Sequence, residues 1–451
     1  MGICLTISWG PAASAAVYYV EGSRGNDRNP GDTESKAWRT IGRAAEKLVA
    51  GDVCLVLPGN YEERTHLLRS GRSGAPITFR AKGRVVTRGF TIEADFVHLS
   101  GFEISDTDNH WKEGAGIFVQ GAHCLVENNF IHDVTRVGIH VFADPPDSPR
   151  TSHCVVRNNR ILRAGLAGIE VYGRYNLIES NDISRTLQYP ARWTHPPRWA
   201  DADGLHFFGA GHIIRNNHIH GILLSDPENI DPHIDAIQTF GPAYDIVIER
   251  NLFEIPDVNM QIAMIEQKRS PVRNIVFRNN VFKNAYRGLN IWSRTDTALD
   301  RITIVNNTFV QIQNYAVECH NCSNLSVVNN LFYDVGAHLR PYLVSDRTGG
   351  ANVSHNCHFM SDGRAPAGRP APEDLWQVDP RLVNVQSGDF KLTSDSPLID
   401  RGRRLTSVHT DKDGHTRPAG HGFDVGAYEY AVGADRRTEK RFKNGSADGP
   451  D

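Results

Sequence analysis

The sequence predicts an all-β chain wound as a single-stranded parallel β-helix, and three observations carry that expectation. The first is one short phrase written eight times: Asn128-Asn129-Phe130-Ile131, Asn158-Asn159-Arg160-Ile161, Ser180-Asn181-Asp182-Ile183, Asn216-Asn217-His218-Ile219, Arg250-Asn251-Leu252-Phe253, Asn279-Asn280-Val281-Phe282, Asn306-Asn307-Thr308-Phe309 and Asn329-Asn330-Leu331-Phe332. The second is spacing: between second residues of successive phrases the steps are 30, 22, 36, 34, 29, 27 and 23 residues. A floor near 22 with frequent excess marks a solenoid whose coil length is fixed while one set of turns carries insertions. The third is alternation with period two beside each phrase, as in Val126-Glu127, Ile214-Arg215 and Val276-Phe277, which builds coils of strands rather than helices. Asparagine suits the sharp turn, tolerating left-handed backbone angles and offering an amide to the coil above.

Taken in order, residues 1–16 read as a signal peptide: an apolar run from Ile3 to Trp9 precedes Ala13-Ser14-Ala15-Ala16, although a basic start is missing. Residues 17–60 form an N-terminal cap and first coil. Within them a helix is expected around Trp38 to Val49, with Ile41, Ala44, Ala45, Leu48 and Val49 on one face and Gly51 as its stop. It would plug the open apolar end of the solenoid. The solenoid itself occupies 61–361, a C-terminal extension packing on it 362–430, and a disordered polar tail 431–451.

Composition sets limits. With 40% hydrophobic residues and a formal net charge of -3, the chain has no footprint for nucleic acid or an anionic membrane surface. No run of 18 apolar residues exists to span a bilayer. Cys124 and Cys154 fall on adjacent coils and read as buried thiols first, a disulfide second. Cys319-His320-Asn321-Cys322 has metal-site spacing but lacks a second pair, which argues against a metal there.

The stretches Tyr19-Val20 to Asn29-Pro30-Gly31, Ala50-Gly51-Asp52 to Leu57-Pro58-Gly59-Asn60-Tyr61, and Asp424-Val425-Gly426-Ala427-Tyr428-Glu429 resemble secreted right-handed β-helix proteins of the pectate-lyase-like superfamily. The resemblance implies a right-handed solenoid of the pectin-lyase type and an extracellular or periplasmic location. Lyases, hydrolases, epimerases and binding proteins share that fold, so it leaves the reaction open.

Candidate chemistry comes from coil registration. A second recurring strand runs through Gly138-Ile139-His140, Gly168-Ile169-Glu170, Gly204-Leu205-His206, Ala236-Ile237-Gln238, Gln261-Ile262-Ala263, Gly288-Leu289-Asn290 and Ala316-Val317-Glu318. Its outward columns read His140, Glu170, His206, Gln238, Ala263, Asn290, Glu318 and Phe142, Tyr172, Phe208, Phe240, Ile265, Trp292, His320. A polar column beside an aromatic one suits a sugar. Just upstream, Asp201-Ala202-Asp203 and Asp231-Pro232-His233-Ile234-Asp235 start adjacent strands, which sets Asp203 beside Asp235 on rungs roughly 4.8 Å apart. Carboxylates so close either raise a pKa, giving a general acid beside a base or nucleophile, or share a cation.

Asp203, Asp235, His206 and His233 are therefore the catalytic candidates. Glu170, Tyr172, Gln238, Lys268, Asn290, Trp292 and Arg294 would contact substrate, with Trp193 and Trp199 on the longest insertion as sugar platforms. No cofactor is required; Ca²⁺ on Asp201, Asp203 and Asp235 is the alternative use of the acids. Similarity to known motifs is partial. Asp203-Gly204 and Asp235 resemble two aspartates of family 28 polygalacturonases, with Ile234 at the third. Ala202-Asp203-Gly204 and Asp235 resemble calcium-holding coils of family 9 pectate lyases, without a front-strand Lys. Asp231-Pro232-His233 resembles the first three residues of an alginate epimerase motif. The expected function is cleavage of glycosidic bonds in a polysaccharide, leaning to hydrolysis by the Asp pair. The alternatives are β-elimination on a uronate polymer, uronate epimerisation, or a non-catalytic carbohydrate-binding solenoid. The expected partner is the polysaccharide alone, with the chain working as a monomer.

Overall fold

The computed structural model describes residues 15–188, 201–226, 228, 232–256, 261–268, 270–336, 342–344 and 350–431. They form three long parallel sheets of 15, 11 and 13 strands, one strand from each sheet per coil. The 11-stranded front sheet runs from Thr65–Leu67 to Tyr342–Val344. A single apolar core fills the space between the sheets from Val20 to Val335. On one side of that core Phe253, Phe282, Phe309 and Phe332 stack with centroids 5.3, 4.6 and 5.2 Å apart, and the stack ends on His358 and then Trp376.

The repeated phrase divides its work between its first two residues. The first residue holds a left-handed backbone in all eight copies, from Asn128 (φ 58°) to Asn329 (φ 60°), including Ser180 and Arg250. That conformation costs roughly 1–2 kcal/mol in residues other than Gly, Asn and Asp, so the turn geometry is imposed by the coil. The second residue forms a buried ladder: the amide of each donates to the side-chain oxygen of the next, through Asn129, Asn159, Asn181, Asn217, Asn251, Asn280, Asn307 and Asn330, at 2.9–3.1 Å. Each of these oxygens from Asn159 onward also takes the backbone N–H of the preceding rung, for example Asn181 to Asn217 at 2.9 Å. Asn356 adds one rung beyond the eight phrases, and Asp374 closes the ladder by accepting the Asn356 backbone N–H.

The capping helix is shorter than expected, Ile41–Lys47, started by Thr40, whose hydroxyl accepts from Arg43. Ile41, Ala44, Ala45 and Leu48 face the core. Val49 does not; it lies beyond the helix and is exposed. At the other end, Leu375–Trp376 adds a last strand to the solenoid and Leu382–Asn384 pairs antiparallel with Asp389–Leu392. Arg417 and Glu429 form a fully buried ion pair at 2.6 Å that ties this extension together. Among the described residues no helix is long and apolar enough to cross a membrane.

Cys124 and Cys154 are buried thiols donating to backbone carbonyls of Ala94 and Gly121. Cys319 and Cys322 form a disulfide, the use of that spacing which the sequence reading passed over.

Candidate active site

Four glycines, Gly116, Gly138, Gly168 and Gly204, each precede the core-facing Ile or Leu of successive front strands. A Cβ on any of them would lie within 2.7 Å of the carbonyl of the next coil's opening residue and of an isoleucine methyl from the phrase strand. Only glycine lets neighbouring coils approach this closely at these four positions. Register then stacks His140, Glu170, His206 and Gln238 as neighbours.

Beyond Gln238 the column departs from expectation. Met264, not Ala263, stands beside Gln238, followed by Asn290 and Glu318. The strand is Gln261–Gln267, and reading it one residue early exchanged its two faces, because side chains alternate. Ala263 and Ile265 belong to the core. Glu266 takes the position assigned to Ile265, beside Trp292.

A cleft of about 150 Å³ lies on this face, lined by Trp111, Arg136, Val137, His140, Leu166, Glu170, Asp201, His206 and Phe240. Behind it runs a chain of polar contacts. His140 Nε2 stands 3.4 Å from Glu170 Oε2. His206 bridges Glu170 Oε1 through Nδ1 at 2.9 Å and Asp203 Oδ2 through Nε2 at 2.7 Å. Asp203 Oδ1 accepts the backbone N–H of Asp235 at 2.6 Å. Gln261 donates to Asp235 Oδ1 at 2.7 Å, and His233 Nδ1 lies 3.3 Å from Asp235 Oδ2 without hydrogen-bond geometry.

The structure thus brings all four catalytic candidates together but at two depths. Asp203 and Asp235 are completely buried beneath the cleft, whereas Asp201 lines it. Gln238 is buried beside His206, and Tyr172 stacks on Phe208 at 4.6 Å. Asn290, Trp292, Arg294 and Lys268 lie farther along the front sheet. There Lys268, at 3.0 Å, and Arg294 pair with the buried Glu266, Lys268 covers Phe240, and Arg294 covers Trp292. Trp193 and Trp199 fall outside the described residues. Trp111 and Arg136 carry a wall of the cleft that the sequence reading missed. Arg136 sits two residues before Gly138, a position that could have flagged it; Trp111 lies in an insertion with no register to read.

Electrostatics separate the carboxyl groups. Burial pushes Asp201 up against the pull of His206 and Lys268, and the nearby Glu170 adds a smaller push. Burial and the neighbouring Asp203 push Asp235 well up, and burial also raises Asp203 against the pull of His206. Burial opposes ionisation of Glu170 too, but His140, His206 and Arg136 outweigh it and bring its pKa down to about 2. Burial pulls His206 down, yet its bonds to Asp203 and Glu170 prevail and hold it well above its ordinary value. His140, buried without a hydrogen bond at Nε2, is pushed down.

Calcium suits this set poorly. Two triads have ligand atoms within 4.8 Å of one another, Asp201–Asp203–His206 and Asp203–His233–Asp235, and each includes an imidazole. Calcium takes six to eight oxygens, and both oxygens of Asp203 are already engaged.

A family model described as the right-handed beta helix region matches residues 149–332. The uncharacterised protein YwoF of Bacillus subtilis is 30% identical over 136 residues, 26% of this chain and 29% of its own length. The match thus spans less than a third of that relative. Among solved structures, XylC in complex with xylose superposes with a TM-score of 0.61 at 13% identity, covering 92% of this chain and 99% of its own. Pectate lyase Pel9A superposes with a TM-score of 0.54 at 17% identity, covering 93% and 97%. At such identities the likeness is one of fold.

Proposed function

We propose that this parallel β-helix, which matches the right-handed beta helix region model over residues 149–332, is a carbohydrate-active enzyme that hydrolyses glycosidic bonds in the front-sheet cleft. One observation carries this reading: two carboxyl groups on the same cleft are driven in opposite directions, Asp201 up and Glu170 down to about 2. A carboxyl pushed toward its protonated form beside one held ionised is the pairing glycoside hydrolysis uses. Asp201 protonates the leaving oxygen as the glycosidic C–O bond breaks, Glu170, held by His206, faces the positive charge that develops on the sugar, and water then adds to the sugar carbon and returns a proton to Asp201. Asp203 and Asp235, the pair first indicated by register, act from beneath: Asp203 keeps His206 charged, and Asp235 braces Asp203 through its backbone N–H. His233 and Gln261 position Asp235. Trp111 and Phe240 offer apolar faces to the sugar ring.

β-Elimination on a uronate polymer is the second reading, favoured by Arg136 and the charged His206 in the cleft, which suit a substrate carboxylate. The disulfide Cys319–Cys322 fits a secreted protein, since oxidising compartments preserve such bonds. Incubation with a panel of polysaccharides, following reducing ends and the ultraviolet absorbance of unsaturated sugars together, tests the proposal. Reducing ends alone support hydrolysis. Both signals together replace it with elimination, and neither signal across neutral and acidic polymers rejects the enzymatic reading.

A further inference from the structure

We propose a second site, a divalent transition-metal site on the 13-stranded sheet, formed by Asp182, His218 and His220 and separate from the front-sheet cleft. Asp182–Ser184 and His218–His220 are neighbouring parallel strands of that sheet, with Asp182 paired to His218 and Ser184 to His220. His218 and His220 are two residues apart on one strand, so both side chains leave the same side of the sheet while Ile219 enters the core. Asp182 leaves the adjacent coil on that same side.

The three side chains converge. One ligand atom from each lies within 4.8 Å of the others. His220 Nε2 is 3.3 Å and His218 Nδ1 is 3.7 Å from the same oxygen, Oδ2 of Asp182. Ligands about 2.0–2.1 Å from a tetrahedral zinc ion are separated by roughly 3.3 Å, so these spacings need little adjustment. The two imidazoles are already held nearly parallel, centroids 4.0 Å apart and planes 17° apart.

Among the described residues, the ion-pair contacts of Asp182 are these two histidines alone. The nearby Arg163 and Arg185 are taken by Asp133, Asp226 and Glu228. His218 Nε2 is buried without a hydrogen-bond partner, and the 3.7 Å contact of its Nδ1 is too long to be a hydrogen bond. Glu254, the next rung after His220, is occupied by Lys283 and Asn284. The protein therefore supplies three ligands, and water completes the shell.

Two imidazole nitrogens and one carboxylate select borderline ions such as Zn²⁺, Co²⁺ or Ni²⁺ and discriminate against Ca²⁺ and Mg²⁺, which prefer oxygen shells. An ion there would clamp two adjacent coils.

The test is titration of untagged, chelator-treated protein with Co²⁺, read by the visible d–d absorption of the bound ion, followed by displacement with Zn²⁺. The proposal expects saturable binding that is lost in His218→Ala and in His220→Asn, with far-ultraviolet circular dichroism unchanged in both. It also expects binding to persist in Asp203→Asn and His233→Ala, which disable the two triads at the cleft. Absence of saturable binding in the wild type overturns it. So does binding that survives both histidine variants or disappears in the cleft variants.

Discussion

Asp203 Oδ1 accepts the backbone N–H of Asp235 at 2.6 Å, joining strand-opening aspartates 32 residues apart in sequence. The bond commits one Asp203 oxygen to the next coil and leaves the other for His206. In the proposed mechanism the pair supports the cleft from beneath, and the carboxyl groups that line it are Asp201 and Glu170.

Asp201→Asn and Glu170→Gln should each lower turnover at least ~100-fold on a polysaccharide the wild type cleaves, the usual loss when a general acid or its partner is removed. Both are partly exposed, so circular dichroism at neutral pH should report folded proteins, with a lowered unfolding midpoint for Glu170→Gln. If either variant retains full kcat, the division of roles between these two groups is wrong.

Asp203→Asn acts through His206. Removing the anion that holds His206 well above its ordinary value should let the imidazole deprotonate sooner as pH rises. The alkaline limb of the pH–rate profile should move to lower pH, a shift that a general packing defect would not produce. For stability the sign is the same: a raised folded-state pKa contributes fully below the unfolded value, roughly 6.5. That contribution is lost as pH climbs through the folded value.

Glu170 has the opposite sign. Its folded pKa of about 2 lies below the ordinary 4.5, so its contribution is present above the unfolded value and disappears as pH falls toward 2. The shift corresponds to something on the order of 3 kcal/mol. Urea midpoints measured from neutral pH down through this window should fall less steeply for Glu170→Gln than for the wild type.

How much of this was legible in sequence differs between turn and cleft. The phrase at Asn217 or Asn307 is readable because each coil imposes the same two demands, a left-handed turn and a buried amide acceptor, and few residues meet both. The front column was readable as far as Gln238, where Gly or Ala opens every strand. It slipped at Met264, an outward apolar residue in a polar column, and Glu266 was thereby misplaced. Depth was not legible: Asp201 and Asp203 are two apart and chemically alike, and only the coil turn decides which reaches the cleft. Trp111 belongs to an insertion, where no repeat constrains position.

Chelation followed by re-addition of Ca²⁺ should leave the rate on a cleaved substrate unchanged, because the Asp203 oxygens are already bonded and each triad includes an imidazole. A rate that vanishes with chelator and returns specifically with Ca²⁺ would show instead that Asp201, Asp203 and Asp235 rearrange around the ion.

The asparagine ladder should be the most sensitive point of the fold. Asn217 accepts the backbone N–H and the side-chain amide of Asn181 and donates to Ile178 O and Asn251 Oδ1, all at 2.9–3.0 Å and all buried. Asn217→Ala strands the backbone N–H and one amide N–H of Asn181 and takes the side-chain donor from Ile178 O, while Asn251 Oδ1 keeps the backbone N–H of residue 217. Each buried polar group left unpaired costs about 1–3 kcal/mol, so the variant should lose roughly 3 kcal/mol or more in equilibrium unfolding. Asn217→Asp keeps the acceptor but cannot donate to Ile178 and Asn251, and it places a charge in the core, so it should be at least as damaging. Ser180, in the same turn but only filling the left-handed position, provides the control: Ser180→Gly removes backbone strain and should leave stability equal or slightly higher. An Asn217→Ala protein with a wild-type urea midpoint would mean that the ladder follows coil stacking rather than holding it.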